Sequence, residues 1–167
     1  MARRRLVPAL AVLALLAAAP ALADGCDDAA WDAAAVAAAL NAAQPLAAEA
    51  PLSRSDAGAF LLGLAPQADV AFAIPPERAP RKDDPKAGTV SFAAGTAGTY
   101  RVALSGSAWI DVVADGRSLP SAAFVDFTDC PGLHKIVAFE IAGGPFVLQV
   151  SDAEASPIAV AIIPTKP

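Results

Sequence analysis

Histidine, cysteine and aromatic residues are scarce in this sequence. The 167-residue chain has one histidine, two cysteines and only 6% aromatic residues. Zinc and redox-metal centres are usually built from several histidine or cysteine ligands, so these counts exclude a centre of that kind. We therefore expect no metal and no cofactor. No stretch reaches about 18 uninterrupted apolar residues, the minimum for a membrane-spanning helix, so no membrane span is expected in the mature protein.

The first 23 residues have the pattern of a secretion signal. Three arginines at positions 3–5 precede an apolar run over residues 6–19, and residues 21–23 have a small-x-small cleavage pattern. The apolar run is too short to cross a bilayer. Cleavage after Ala23 would make Asp24 the first residue. The sequence thus predicts a cleaved signal peptide over 1–23 and a periplasmic or secreted protein.

The predicted mature chain is acidic. Cleavage removes three of the 12 basic residues and leaves nine against 17 acidic ones, a net charge of −8. Because nucleic-acid binding needs a basic surface, we expect no nucleic-acid partner. Apolar residues make up 56% of the chain, but 44 residues are alanine, so the core is expected to be that of one small domain.

Both cysteines, Cys26 and Cys130, lie after the cleavage site. In an oxidising compartment an even pair most often forms one disulfide. The two positions are 104 residues apart, and closing a loop of that size stabilises a fold by up to about 4.7 kcal/mol. We predict a disulfide that ties the mature N-terminus to the far half of the domain.

The segment 24–57 is predicted to contain one helix and a linker. An alanine-rich helix is expected over Asp27–Ala43, capped by Asp27 or Asp28 and stopped by Pro45. Its apolar stripe (Trp31, Ala35, Leu40) is thin, so the sequence leaves open whether the helix packs on the domain or is a fraying tether. A linker follows over 47–57.

Residues 58–167 change to a period of two, with turn residues between short apolar runs. This pattern is typical of an antiparallel β-sandwich, here jelly-roll-like with eight or nine strands. Asp115-Gly116 predicts a hairpin turn, and the charged segment Glu77–Lys86 is expected to be a solvated loop. The predicted strands are Phe60–Leu64, Val70–Ile74, Thr89–Ala93, Tyr100–Leu104, Trp109–Ala114, Ala122–Phe127, Lys135–Ile141, Phe146–Ser151 and Ile158–Ile163.

Two segments carry a family resemblance. Residues 90–102, with Ala97-Gly98-Thr99-Tyr100, and residues 136–150, with Gly143-Gly144-Pro145-Phe146, each place turn glycines between alternating strands. Together they resemble the repeated strand–turn–strand phrase of bacterial pre-peptidase C-terminal-type domains. That resemblance implies a secreted, non-catalytic, jelly-roll-like β-sandwich.

Residues 98–104, 108–113 and 130–137 also resemble a group of small secreted bacterial β-sandwich proteins of unassigned role. Some members of that group carry the name homogentisate 1,2-dioxygenase. A non-haem iron oxygenase of that kind needs two histidines and a carboxylate around the metal. His134 is the only histidine in this chain, so the residues do not support the name.

Three residues of the predicted strands are candidates for ligand binding: Trp109, Asp111 and Tyr100. Rings on a flat sheet face can stack on sugars. Trp109 is out of phase with Ile110 and Val112, so strand alternation directs it away from the core. Two alternatives follow. Trp109 is covered by the N-terminal helix, which we favour, or it is exposed and binds a carbohydrate.

Other constellations are weaker. The carboxylates of Asp111, Asp115, Asp126 and Asp129 are near in sequence and suggest calcium, but no calcium-loop motif is present. His134 lies near Cys130 in sequence and could form a thiol–imidazole pair with it, but the predicted disulfide would consume the Cys130 thiol. No catalytic residue is therefore predicted.

We therefore expect a non-enzymatic periplasmic or secreted β-sandwich that binds an envelope protein or a glycan. The alternative is a carbohydrate-binding module that uses Trp109. A secreted hydrolase is less favoured, since it would need a pocket of perturbed carboxylates.

Overall fold

A computed structural model describes residues 25–46 and 58–165 of the chain. The predicted signal peptide over 1–23 and the predicted linker over 47–57 lie outside these residues. The described part forms the helix α1 (Ala33–Asn41), a short 3₁₀ helix (Gln67–Asp69), and strands β1 (Gln44–Pro45), β2 (Ala59–Leu62), β3 (Ala65–Pro66), β4 (Lys86–Gly95), β5 (Gly98–Leu104), β6 (Trp109–Ala114), β7 (Arg117–Ser118), β8 (Ser121–Asp126), β9 (Lys135–Ile141), β10 (Gly144–Ala153) and β11 (Ile158–Pro164).

The strands form two sheets, which confirms the predicted all-β sandwich with one helix. The six-stranded sheet has the order β1-β2-β11-β5-β9-β8, and the five-stranded sheet has the order β3-β4-β10-β6-β7. Neighbouring strands are antiparallel except β1 and β2. Three of the strands (β1, β3, β7) have only two residues each and were not predicted. The predicted strand Val70–Ile74 is wrong, because the backbone of this segment donates hydrogen bonds to the Gln149 side chain rather than joining a ladder.

The core between the sheets follows the alternation of the strands. The rings of Phe92 and Phe146 stack there with their centroids 4.7 Å apart. At the predicted hairpin turn, Asp115 and Gly116 both have positive φ, at 51° and 71°, as a tight hairpin requires. The inward residues of five strands are buried in this core: Val102, Leu104, Ile110, Val112, Val137, Phe139, Ile141, Phe146, Leu148, Val150, Val160 and Ile162.

Helix α1 covers the outer face of the six-stranded sheet. Its buried residues Val36 and Leu40 lie in a second apolar cluster with outward residues of β9 and β11, among them Ile136 and Ala159. The segment is therefore a packed helix rather than a tether. No helix in the described ranges is long and apolar enough to span a membrane.

The disulfide is confirmed, and it fixes the start of this helical region. Cys26 and Cys130 are bonded, with their Cα atoms 4.8 Å apart. The helix begins at Ala33 rather than Asp27, because the residues beside the disulfide form turns in which Asp28 accepts a hydrogen bond from the Ala30 N–H at 3.0 Å. Ala35, expected on the apolar stripe, is exposed.

The outer face of the five-stranded sheet is covered by residues 67–85, which we call the strap. The Gln149 side chain accepts hydrogen bonds from the N–H groups of Ala73 (2.7 Å) and Ile74 (3.3 Å) and donates one to the Ile74 carbonyl. Asp152 accepts from the N–H groups of Arg81 and Lys82. Most residues of Glu77–Lys86 are exposed, as expected for a solvated loop, but buried side chains of the sheet also bind its backbone.

Candidate binding groove

Trp109 lies at the start of β6, on the edge of the five-stranded sheet. The helix α1 packs on the other sheet, so the expectation that this helix shields Trp109 is wrong. The strap provides the cover instead. The Arg78 guanidinium lies 5.0 Å from the centre of the Trp109 ring, and the Lys135 Nζ lies 6.0 Å from it. Trp109 is therefore half-buried between two cations.

Asp111 holds the indole and the strap together. Its carboxylate accepts a hydrogen bond from Trp109 Nε1 at 2.9 Å and a longer one from the Glu77 N–H at 3.4 Å. Asp111 is only 2% exposed. Burial raises the pKa of this carboxyl above its usual value of 3.8, and the charge of Glu77 adds to the rise, while the hydrogen bonds from Trp109 and Glu77 act in the opposite direction. Asp111 is thus a positioning group for Trp109.

Phe124 faces Trp109 from the other sheet. The pairing of β8 with β9 sets Phe124 opposite the core residue Val137, so its ring is directed to the inner side of the six-stranded sheet. Strand β7 pairs only with Val113 and Ala114 of β6, and the five-stranded sheet therefore ends before it reaches Phe124. As a result Phe124 is 65% exposed, the one large apolar side chain so exposed among the described residues.

These side chains line a groove of about 220 Å³ at the open edge of the sandwich. Ile110 and Val137 form its floor, and Asp126 forms an ion pair with Lys135 at 3.3 Å. The remaining lining residues are Arg78, Trp109, Ser121 and Phe124. Enclosed small-molecule sites are usually about 300–1,000 Å³. The groove is therefore suited to a part of a larger partner that lies along it.

Tyr100 does not contribute to this groove. It is 4% exposed and packs in the core between the sheets, and its hydroxyl donates a hydrogen bond to the Thr96 carbonyl at 3.0 Å. The expectation of an accessible Tyr100 ring is wrong, because its position in β5 places it in phase with Val102 and Leu104. Of the three predicted ligand-binding residues, the structure brings only Trp109 and Asp111 together.

The carboxylates considered for calcium have separate surroundings. Asp111 is under the strap, Asp115 is in the β6–β7 turn, Asp126 pairs with Lys135, and Asp129 accepts a hydrogen bond from the Thr128 hydroxyl. In residues 25–46 and 58–165, no three histidine, cysteine, aspartate or glutamate side chains come together as a metal site. These acids therefore act in local contacts.

Sequence reasoning missed Phe124, Arg78 and Lys135 as members of one site. A signal for Phe124 was available, because Phe124 and Val125 are adjacent in an alternating strand and must point to opposite faces. No local signal places Arg78 over Trp109, since the strap is held there by contacts such as those between residues 34 and 85 positions apart in sequence. No protein-family model, curated protein or solved structure matches this chain.

Proposed function

We propose that this chain is a non-enzymatic binding protein of the bacterial periplasm or extracellular medium, and that its partner docks in the groove between Trp109 and Phe124. The exposure of Phe124 is the main support. A phenylalanine that is 65% exposed lines one groove together with a half-buried tryptophan, and contiguous apolar surface is a better sign of an interaction site than a single exposed apolar residue.

The chemistry of the groove supports binding rather than bond making. Its acid and base are paired with each other, Asp126 with Lys135, and Asp111 is engaged by Trp109 and Glu77. Cys130 is in the disulfide, so it offers no thiol to His134. The resemblance to secreted, non-catalytic pre-peptidase C-terminal-type domains points to the same role.

Secretion is supported by the disulfide and by the signal-like pattern at the N-terminus. Disulfides form and persist in oxidising compartments. The mature protein is expected to begin at Asp24. N-terminal sequencing of protein from the periplasm or medium tests this, and a cytoplasmic protein that starts at Met1 would contradict it.

The carbohydrate alternative has one specific observation in its favour, the presence of two aromatic rings in one groove. Stacking on sugar requires an open ring face. Arg78 already lies over Trp109 at 5.0 Å, so only Phe124 offers such a face without rearrangement. A protein partner fits this arrangement better, because a carboxylate of the partner can pair with the Arg78 guanidinium.

Site-specific photo-crosslinking tests the proposed function. A photoreactive amino acid replaces Phe124 in the groove or, as a matched control, the exposed Ala68 on the 3₁₀ helix. In the native cells we expect a discrete adduct from position 124 that is absent from position 68. Equal labelling at both positions, or an adduct only with a second copy of the chain, would overturn the proposal.

A further inference from the structure

The free edges of the two sheets are unequal. Each sheet has two edge strands, and β1, β3 and β7 are two residues long. Strand β8, the remaining edge, has six residues. Long edges present unpaired N–H and C=O groups to any passing strand, and natural proteins usually shorten or block them. Among the four edge strands of the described residues, β8 is the longest, and it has no strand partner on its outer side. Within the same residues, strand β4 also lacks a partner on its β3 side beyond Ala87, where the two-residue β3 ends.

The side chains of β8 are arranged for a strand that would lie beside it. Phe124 is opposite Val137 and faces the groove, whereas Val125 is opposite Ile136 and faces the side covered by α1. Residues 121–124 are all exposed. A strand added to β8 would extend the six-stranded sheet across the groove, and its inward side chains would cover Phe124.

The charges of the groove select the kind of strand. Within the described residues, no carboxylate lies within ion-pair distance of Arg78, and Lys135 is shared with Asp126. The charged side chains that line the groove, Arg78, Lys135 and Asp126, therefore carry one net positive charge on a chain whose net charge is −5. Charge complementarity favours an acidic partner segment. A second copy of this chain would bring the same positively charged side chains to the groove, and like charges do not favour such a pairing.

We propose that β8 accepts an extended acidic peptide segment of another protein as an added strand. One apolar side chain of the segment packs on Phe124, and a carboxylate of the segment binds the Arg78 guanidinium. This inference rests on the proposed function, since it names the class of partner that occupies the same groove.

Selection from a displayed library of random twelve-residue peptides on the immobilised, disulfide-bonded protein tests the inference. The expected result is enrichment of sequences in which apolar residues alternate with aspartate or glutamate. The best synthetic peptide is then measured by fluorescence anisotropy. We expect Arg78→Glu and Phe124→Asp each to weaken its binding about ten-fold or more, as for central contact residues of an interface.

Two variants are matched controls. Arg81→Glu makes the same charge change at an exposed position of the strap, and Ala123→Asp introduces the same acid on the opposite face of β8. Both are expected to bind the peptide within about two-fold of the parent. Circular dichroism and the unfolding midpoint of each variant establish that a loss of binding is not a loss of fold.

Backbone methylation of the peptide tests strand addition directly. In a β-ladder alternate amides face the neighbouring strand. N-methylation of one alternate set of peptide amides should therefore abolish binding, and methylation of the other set should be tolerated. Equal tolerance of both sets, unaltered binding to Arg78→Glu, or selection of peptides without the alternating pattern would overturn the inference.

The two proposals fail in different ways. A crosslink from position 124 to a glycan or to a folded protein surface, with no peptide selected, overturns strand addition and leaves the groove as the binding site. The lack of any adduct at position 124 overturns the groove itself. A concentration-dependent dimer that Phe124→Asp abolishes would identify a second copy as the occupant and overturn the peptide inference.

Discussion

The two sheets of the sandwich each have an outer face, and the chain covers these faces with different chemistry. The six-stranded sheet presents small apolar residues such as Ala159 and Ala161, and α1 packs on them through Val36 and Leu40. The five-stranded sheet presents the polar residues Asp111, Gln149 and Asp152, all at most 7% exposed, and the strap binds them by hydrogen bonds. One cover is apolar and crosslinked, while the other is polar and irregular.

The difference shows how an irregular segment can be held on a sheet by hydrogen bonds. A buried loop must find partners for its own N–H and C=O groups. Gln149 and Asp152 provide these partners, because each side chain takes more than one backbone group of the strap. A helix satisfies its backbone internally, so its cover can rely on apolar contact and the disulfide.

Removal of the disulfide is expected to have the largest effect and to act on the helix side alone. The double variant Cys26→Ala with Cys130→Ala should lower the free energy of unfolding by about 2–5 kcal/mol, since a 104-residue loop is released. Urea denaturation measures the loss. Tryptic cleavage at Arg81 in the strap should keep its rate under native conditions. A loss of stability below about 1 kcal/mol would contradict this prediction. Faster tryptic cleavage at Arg81 in the variant than in the parent would show that the helix and the strap are not independent.

Gln149→Leu breaks the polar cover at similar side-chain volume. It leaves the N–H groups of Ala73 and Ile74 without their acceptor, so we expect a loss of about 1–3 kcal/mol and faster tryptic cleavage at Arg81. Asn41→Ala, which removes an exposed hydrogen bond of 3.5 Å to the Pro131 carbonyl on the helix side, should stay within about 0.5 kcal/mol of the parent. Equal losses in the two variants would show that burial of the hydrogen bond is unimportant.

Asp111→Asn tests how the stability of the strap side depends on pH. Because burial raises the pKa of Asp111 in the folded state above its usual 3.8, the contribution of this group to stability is full below pH 3.8 and is lost as the pH rises through the folded-state pKa. Asparagine does not titrate. Relative to the parent, Asp111→Asn should therefore become more stable between pH 3 and pH 7.

Chemical denaturation at several pH values measures this difference. Asp69→Asn, at an exposed carboxyl of the strap, gives the baseline for the loss of one negative charge. A difference between Asp111→Asn and the parent that stays constant with pH would contradict the raised pKa.

The smallest effects are expected at the two arginine–tryptophan contacts, one on each side. Arg101 lies over Trp31 at 4.9 Å beside α1, as Arg78 lies over Trp109 at 5.0 Å beside the strap. Arg78→Gln should change the stability by less than about 1 kcal/mol and increase acrylamide quenching of Trp109, measured with Trp31 replaced by phenylalanine.

Arg101→Gln, with Trp31 as the reporter and Trp109 replaced by phenylalanine, is the counterpart. Arg101 also donates a hydrogen bond to the Ala30 carbonyl at 2.9 Å, so its loss should be the larger of the two. Unchanged quenching in Arg78→Gln would show that Arg78 does not shield Trp109.

Strand alternation determined much of this fold before any contact was known. Trp109–Ala114 and Lys135–Ile141 were predicted with the bounds that the structure has, because alternation over several residues is a local property of the sequence. Asp115-Gly116 likewise specifies its own turn. The disulfide was predicted from the presence of two cysteines and from an expected oxidising compartment, and each cysteine had no alternative partner.

The tertiary structure alone decided which element covers which face and which side chains share a groove. Trp109 was correctly directed away from the core, yet the helix expected to cover it packs on the other sheet. Strand alternation predicts that a residue points away from the core, but it does not predict which element covers that residue. That depends on contacts between distant residues, such as Ala73 with Gln149, and on β7 ending early enough to leave Phe124 uncovered.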